Sequence, residues 1–281
     1  EDHFLDISGS TFAGNTAYYN GGAIESLWVK DLTITDSVFD HNAAGQDATG
    51  GALLSYVAAA TTLSGNRFCG NSAGVGGGVS IQWSTVDTWV NNTFVENTAA
   101  TTGGGAHRYV DYDSVTRNNT FVGNSAATGG GYYASWGYAE ITNNIFADTT
   151  SGSGVYAADT GSLKHSTLAY NGWHNNAALH GGGYFYAADG VDGNTEADPG
   201  FVAWSMDGDC ENDDLRLSSD SALRNTGDPK LSDPDGSTSD PGAYGGPDAP
   251  VEDADPHRLY QPGPPRSAPP PPQVAHFQER A

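Results

Sequence analysis

The chain has 281 residues and 29.2 kDa, with 34 acidic and 11 basic side chains, a formal net charge of −23 and a pI near 4.2. Such a surface meets every phosphate with like charge, which excludes nucleic acid and anionic membranes as partners and favours solubility and divalent cations. Glycine at 38 residues without a collagen triplet, only 37% hydrophobic residues and few Leu or Lys exclude a helix-rich core, and no apolar run approaches the ~20 residues of a membrane helix.

The opening Glu1-Asp2-His3 does not read as a signal peptide, so the chain is expected to be already processed. Phe4-Leu5-Asp6-Ile7 aligns with Asp31-Leu32-Thr33-Ile34, which places the start inside a repeat with no obvious polar cap. From there Phe is followed three residues later by Asn five times: Phe12/Asn15, Phe39/Asn42, Phe68/Asn71, Phe94/Asn97 and Phe121/Asn124. The Phe positions differ by 27, 29, 26 and 27, and each pair leads to glycines at 21–22, 50–51, 76–78, 103–105 and 129–131. A fixed period of this length marks stacked repeats. Two degenerate units are expected to follow, Phe146 with Thr149 and Leu168 with Asn171.

Within one unit, alternation puts Leu32 and Ile34 on one face and Ser37 and Phe39 on one face, and the change of parity requires a corner near Asp36. Ile7, Ile34, Leu63, Trp89, Ile141 and Leu163, five residues before each Phe-type position, are expected to stack as an inward column at about 4.8 Å per coil. Ser10, Ser37, Asn66, Asn92, Asn119, Asn144 and Ser166, two before it, are expected to bond from coil to coil, since an inward amide can reach the coils above and below. The glycines supply positive φ and close backbone approach at another corner.

The tetrapeptides Phe12-Ala13-Gly14-Asn15 and Gly21-Gly22-Ala23-Ile24 resemble the paired repeats of polymorphic outer-membrane proteins and related bacterial surface proteins. The resemblance covers about residues 4–185. It implies a right-handed, single-stranded parallel β-helix displayed outside the cell, often as an adhesin or autotransporter passenger. The expected fold is therefore all-β, a solenoid of about seven coils over residues 1–196.

From Ala197 the period disappears. Residues 197–246 are expected to form an irregular Asp- and Gly-rich cap over the last coil, because a solenoid with a bare end exposes strand edges and core. Asp207, Asp209 and Asp213 around Gly208, and Asp233, Asp235 and Asp240 around Gly236, echo oxygen-rich calcium loops, although neither completes the ligand series. Plain Asx turns explain them as well. Residues 247–281 hold ten of the fourteen prolines and are expected to be an extended tail in which residues 274–277 form a short docking-competent strand. Cys69 and Cys210 permit one disulfide or stand as two thiols; Cys69 lies on an outward column within reach of a folded-back cap.

Three patterns bear on chemistry. His107, Arg108, Asp111 and Asp113, with Arg117 nearby and Asp87 one coil below, are the densest candidate for a polysaccharide lyase or glycoside hydrolase, which need a base or two spaced carboxylates. An Asn-Thr-Asp strand is missing, and eleven basic residues leave little to hold a polyanion, which favours a solvated loop. Trp28, Tyr56, Trp83, Tyr109 and Trp136 form a second column; parity favours core stacking over a sugar platform. The third is an outward strip of Thr93 and Val95, Thr120 and Val122, Ile145 and Ala147, Thr167 and Ala169, a half-apolar partner surface. The Asn91-Asn92-Thr93 and Asn118-Asn119-Thr120 triplets match glycosylation acceptors but sit on inward ladder positions.

The expectation is an extracellular structural or adhesive protein, secreted or on a bacterial cell surface, self-assembling through solenoid ends and tail. Its partners would be further copies or a cell-surface glycan, with no required cofactor and calcium as the candidate ion. The alternative is a polysaccharide-active or glycan-binding β-helix.

Overall fold

A computed structural model describes residues 3–109, 113–158, 166–178, 180–183 and 191–250. Three long parallel sheets, each taking one short strand from every coil, enclose a single interior, so the chain is a parallel β-helix. The first sheet runs from Phe4–Ser8 through Asp31–Thr35 to Thr167–Ala169 in seven strands; the third runs from Ile24–Leu27 to Gly181–Gly183, also in seven. The second has eight, from Thr11–Ala13 to Thr195–Glu196. Neighbouring coils pair in register, Phe39 on Phe68 and Phe94 on Phe121. No helix among the described residues is long and apolar enough to cross a membrane.

The corners explain why the alternation of the sequence breaks where it does. Between the first and second sheets one residue per coil takes a left-handed backbone, φ 49–65°, at Gly9, Asp36, Gly65, Asn91, Asn118, Asn143 and Tyr170. Glycine, Asn and Asp tolerate that region best, and the bend expected near Asp36 falls on Asp36 itself. Entering the third sheet, Gly50 (φ +76°) is followed by Gly51, where a Cβ would stand 1.9 Å from the Gly77 carbonyl oxygen. No side chain fits there without moving backbone.

Inside, the rings of Phe12, Phe39, Phe68, Phe94, Phe121 and Phe146 stack in file at 4.5–5.0 Å, nearly parallel. The file continues on Trp173, 5.0 Å from Phe146. This corrects the seventh unit: Leu168 pairs with Ile141 in the first sheet, and Trp173, not Leu168, pairs with Phe146. Trp fills the inward ring position 27 residues after Phe146, so a period traced through Phe alone misses it. Ser166, Thr167 and Asn171 shift with it, off the columns assigned to them, Asn171 coming to lie two residues before the ring position and not three after it, and Leu163 lies outside the described residues.

Two ladders of side-chain amides flank the rings. Asn66, Asn92, Asn119, Asn144, Asn171 and Asn194 form the first: each backbone N–H and each Nδ2 donates to the Oδ1 of the next, at 2.9–3.1 Å. Nδ2 also reaches back a coil, as from Asn92 to the Leu63 carbonyl at 2.9 Å. Asn15, Asn42, Asn71, Asn97 and Asn124 form the second in the same way. The buried side-chain amides of the two ladders thus use both their oxygen and their nitrogen, which removes the roughly 1–3 kcal/mol cost of leaving such a group unpaired.

The aperiodic segment 197–250 lies on the outer face of the second sheet, not simply over the last coil. Its Phe201, Trp204, Leu215, Leu217, Leu223 and Tyr244 pack on Cys69, Val95, Val122, Ile145 and Ala147. A disulfide, Cys69 to Cys210, closes it onto the helix across a sequence separation of 141. The half-apolar strip expected as a partner surface is therefore covered by the chain itself. Residues 251–281, including the expected docking strand 274–277, lie outside the described residues.

Candidate functional site

The outer sides of the other two sheets differ in chemistry. The first sheet turns Asp6, Asp31, Asp113, Arg117 and Glu140 outward among threonines. The third alternates Ile24, Leu53, Val79, Ala106 and Tyr132 inward with Glu25, Leu54, Ser80, His107 and Tyr133 outward. Glu25 is the single carboxylate among its described outward positions, a conspicuous gap in a chain of net charge −23.

Where this sheet ends, Trp28, Val57, Trp83 and Trp136 take positive φ of 58–64°. The left-handed region disfavours bulky side chains, and holding one there costs about 1–3 kcal/mol. The tryptophans are 67%, 49% and 50% exposed. The parity argument for core stacking therefore fails: the left-handed residue breaks alternation at the very position where the rings sit. Tyr56 pairs with Leu27 and Gln82 on the outward face, beside the tryptophan corner. Trp28 meets Tyr56 edge to face at 5.8 Å, and Trp83 meets Tyr109 likewise at 5.9 Å.

The aromatic surface extends inward along the sheet. Tyr109 lies nearly parallel to His107 at 6.4 Å, His107 to Tyr133 at 5.0 Å, and Tyr133 to Tyr156 at 5.7 Å. Burial pushes the His107 imidazole down to about 4, so it is neutral at physiological pH. Its Nδ1 shares a proton with Ser80 Oγ at 3.2 Å, the donor being set by the tautomer. Tyr133 and Tyr156 carry no repeat signature, and sequence reasoning missed them; the ring at the second strand position in three successive coils, His107, Tyr133 and Tyr156, would have been the signal.

The proposed catalytic cluster is dispersed. Arg108 is completely buried in the interior and donates from Nη2 to the Tyr138 carbonyl at 2.9 Å, while His107, next to it, lies on the opposite side of the strand and is itself buried, 7% exposed. Asp87 is also buried and inward, paired with Ser114 and not with Asp113. Asp113 is exposed on the first sheet, Arg117 stands 3.5 Å from Asp248, and Asp111 lies outside the described residues. Among the described residues these groups do not come together on one face.

No protein-family model matches the chain, and no curated protein or solved structure matches it. The parallel β-helix itself rests on the strand pairing and stands without them.

The Asp-rich loops serve their own backbone. Asp207 accepts from the Asp209 N–H at 2.9 Å and Asp209 from that of Glu211 at 3.0 Å; Asp235 accepts from Ser237. Asp233 accepts from the Asp240 and Gly246 N–H groups, and Asp213 from that of Ser205. These are the Asx-type contacts of the plainer reading. Burial nevertheless raises Asp213 and Asp233 to about 6, and it raises Glu96, which faces the 207–208 turn. Asp40 and His41 stand beside Cys69, but its sulfur is committed to the disulfide.

The segment 197–250, a strap across the second sheet, is gripped by side chains whose role was not foreseen. Asn91 Nδ2 donates to the Ala243 and Gly245 carbonyls at 2.9 Å, Asn118 Nδ2 to that of Asp240 at 3.0 Å, and Asn143 Nδ2 to Ser239 Oγ at 2.9 Å. In each Asn doublet the first member turns out to the strap and the second turns in to the ladder. Asn91 and Asn118 are buried, which closes the glycosylation reading.

Proposed function

We propose that this chain is an extracellular adhesive β-helix, secreted by or displayed on a bacterium, which holds a partner surface against its third sheet. The observation that carries the reading is the row of exposed tryptophans kept in a left-handed backbone. Strain of that kind persists where surrounding structure over-determines it, and it clusters at sites of function. Aromatic anchors on a rigid frame supply contact area at little cost in ordering.

Two further observations support the extracellular part. The Cys69–Cys210 disulfide suits an oxidising compartment. The Phe-x-x-Asn repeats and the tetrapeptide Gly21-Gly22-Ala23-Ile24 resemble those of the polymorphic outer-membrane proteins. Glycoside hydrolysis has less support: it needs two facing carboxyl groups, and the aromatic face offers Glu25. Self-association belongs to the same proposal, because the in-register parallel pairing that joins one coil to the next is the pairing that would join one copy to another.

Retention of the purified chain on mucin, insoluble polysaccharide and bacterial cells tests the adhesive reading, with the Trp28→Asn/Trp83→Asn/Trp136→Asn variant as control. Retention that the triple variant abolishes is the expected result. Equal retention of both proteins would remove the aromatic face from the function. Electron microscopy with and without residues 248–281 tests filament formation; filaments unchanged by the truncation would exclude the tail.

A further inference from the structure

We infer that the aromatic face binds a neutral, extended, β-linked polysaccharide lying parallel to the helix axis, with one disaccharide for every two coils. This names the ligand class of the adhesive site and rests on that reading. The tryptophans do not occupy every coil: Val57 stands between Trp28 and Trp83, and the strand ending at Tyr109 pairs between the strands that precede Trp83 and Trp136. Ring stacking in the core measures the coil spacing at 4.5–5.0 Å, so consecutive tryptophans recur at about 9.6 Å.

An extended β-linked chain has the same symmetry. Successive sugars are flipped, and a given sugar face returns only at every second residue, after one disaccharide length. A sugar's flat C–H face stacks on an aromatic ring through the same apolar and quadrupole contacts that pair rings with each other. Each edge-to-face pair, Trp28 with Tyr56 and Trp83 with Tyr109, offers one ring surface and one ring wall. Gln82, paired in register between Tyr56 and Tyr109, adds an amide for hydroxyl groups.

Charge selects the neutral class. Uronate and sulfated polymers meet a chain of −23 and a face with no outward cation among its described residues, since Arg108 points inward and His107 is held neutral. A protein partner of general apolar character would not require the two-coil alternation.

Calorimetric titration with cello-, chito- and manno-oligosaccharides of two to six sugars tests the inference, with oligogalacturonate as the charged control. Three sugars reach two tryptophans and five reach all three. Affinity is expected to step up at three and again at five sugars, by roughly two- to tenfold each, and to level off at six. Trp83→Asn and Trp83→Gly, both compatible with the left-handed backbone, are expected to erase a step without lowering the melting temperature. A smooth rise with length, or preference for oligogalacturonate, overturns the inference, as does a fall in melting temperature in both variants. Tryptophan-dependent retention on cells without binding to any neutral oligosaccharide overturns the ligand class and leaves adhesion standing; retention that ignores the tryptophans overturns both.

Discussion

The coiled body and the strap 197–250 use the same polar side chains to opposite ends. In the body an Asn meets an identical Asn one coil away, and the contact repeats from Asn66 to Asn194. In the strap each polar contact is unique: Asn91 to Ala243, Arg67 Nη1 to the Cys210 carbonyl, Trp204 Nε1 to Asp148. Coils of a solenoid touch only their neighbours, so stability within the body is nearest-neighbour in kind. The strap breaks that rule. It joins the coil of Cys69 to the coil of Gly172, against which Leu223 packs, and so couples coils that do not touch. Regular contacts build the frame; irregular ones make it cooperative.

The sharpest way to test the division is to damage one region at a time. Asn92→Ala is expected to cost most, roughly 3–5 kcal/mol, because it leaves the Leu63 carbonyl and the Asn66 N–H without partners in the interior. Loss of the disulfide in Cys69→Ser/Cys210→Ser is expected to cost about 2–5 kcal/mol by the loop it opens. Chymotrypsin should then cut near Phe201 and Trp204 while the body stays intact; simultaneous digestion of the body would show that the strap holds the frame together. Asn118→Gly keeps the left-handed corner but loses the bond to the Asp240 carbonyl, and a loss of about 1–2 kcal/mol is expected in thermal melts. If Asn118→Gly proved as costly as Asn92→Ala, the two members of the doublets would not differ in role.

The two regions should also answer pH in opposite senses. Asp213 and Asp233, with folded values near 6 against 3.8, bind more protons folded than unfolded, so the stability they contribute falls as pH rises from about 4 to about 6. His107, near 4 against 6.5, binds fewer when folded, so its contribution rises from about pH 4 to 6.5 and is lost on acidification. Melting temperatures of Asp233→Asn across this range should rise relative to the parent above pH 6 and coincide with it near pH 4. A parallel offset at every pH would mean that burial of this carboxyl is not felt. The smallest effect is expected on the exposed corner: Trp83→Asn should leave stability unchanged or slightly raised, since Asn accepts φ near +60° more readily.

Much of the frame was legible in order of residues alone, because stacking places like on like at a constant interval. Phe12 to Phe146, the Asn series as far as Asn144 and Asn124, and the bend at Asp36 follow from period and parity; Asn171 and Asn194 of the first ladder do not. The seventh ring position was misassigned to Leu168, because Trp173 holds it and a trace through Phe alone passes over a Trp. The face that carries the proposed site was legible only as a row of rings, with its direction reversed. Parity holds along an extended strand, and one left-handed residue at 28, 83 or 136 cancels it.

The amino-acid order by itself determined a stack of coils with an inward ring file and amide ladders, since each of those contacts joins equivalent positions one period apart. Tertiary structure decided where segment 197–250 lies, that Cys69 meets Cys210, that Arg108 is interior and that the tryptophans face water. Those outcomes depend on contacts between unlike residues far apart in the chain, and on the sign of φ at a few corners, neither of which a repeat records.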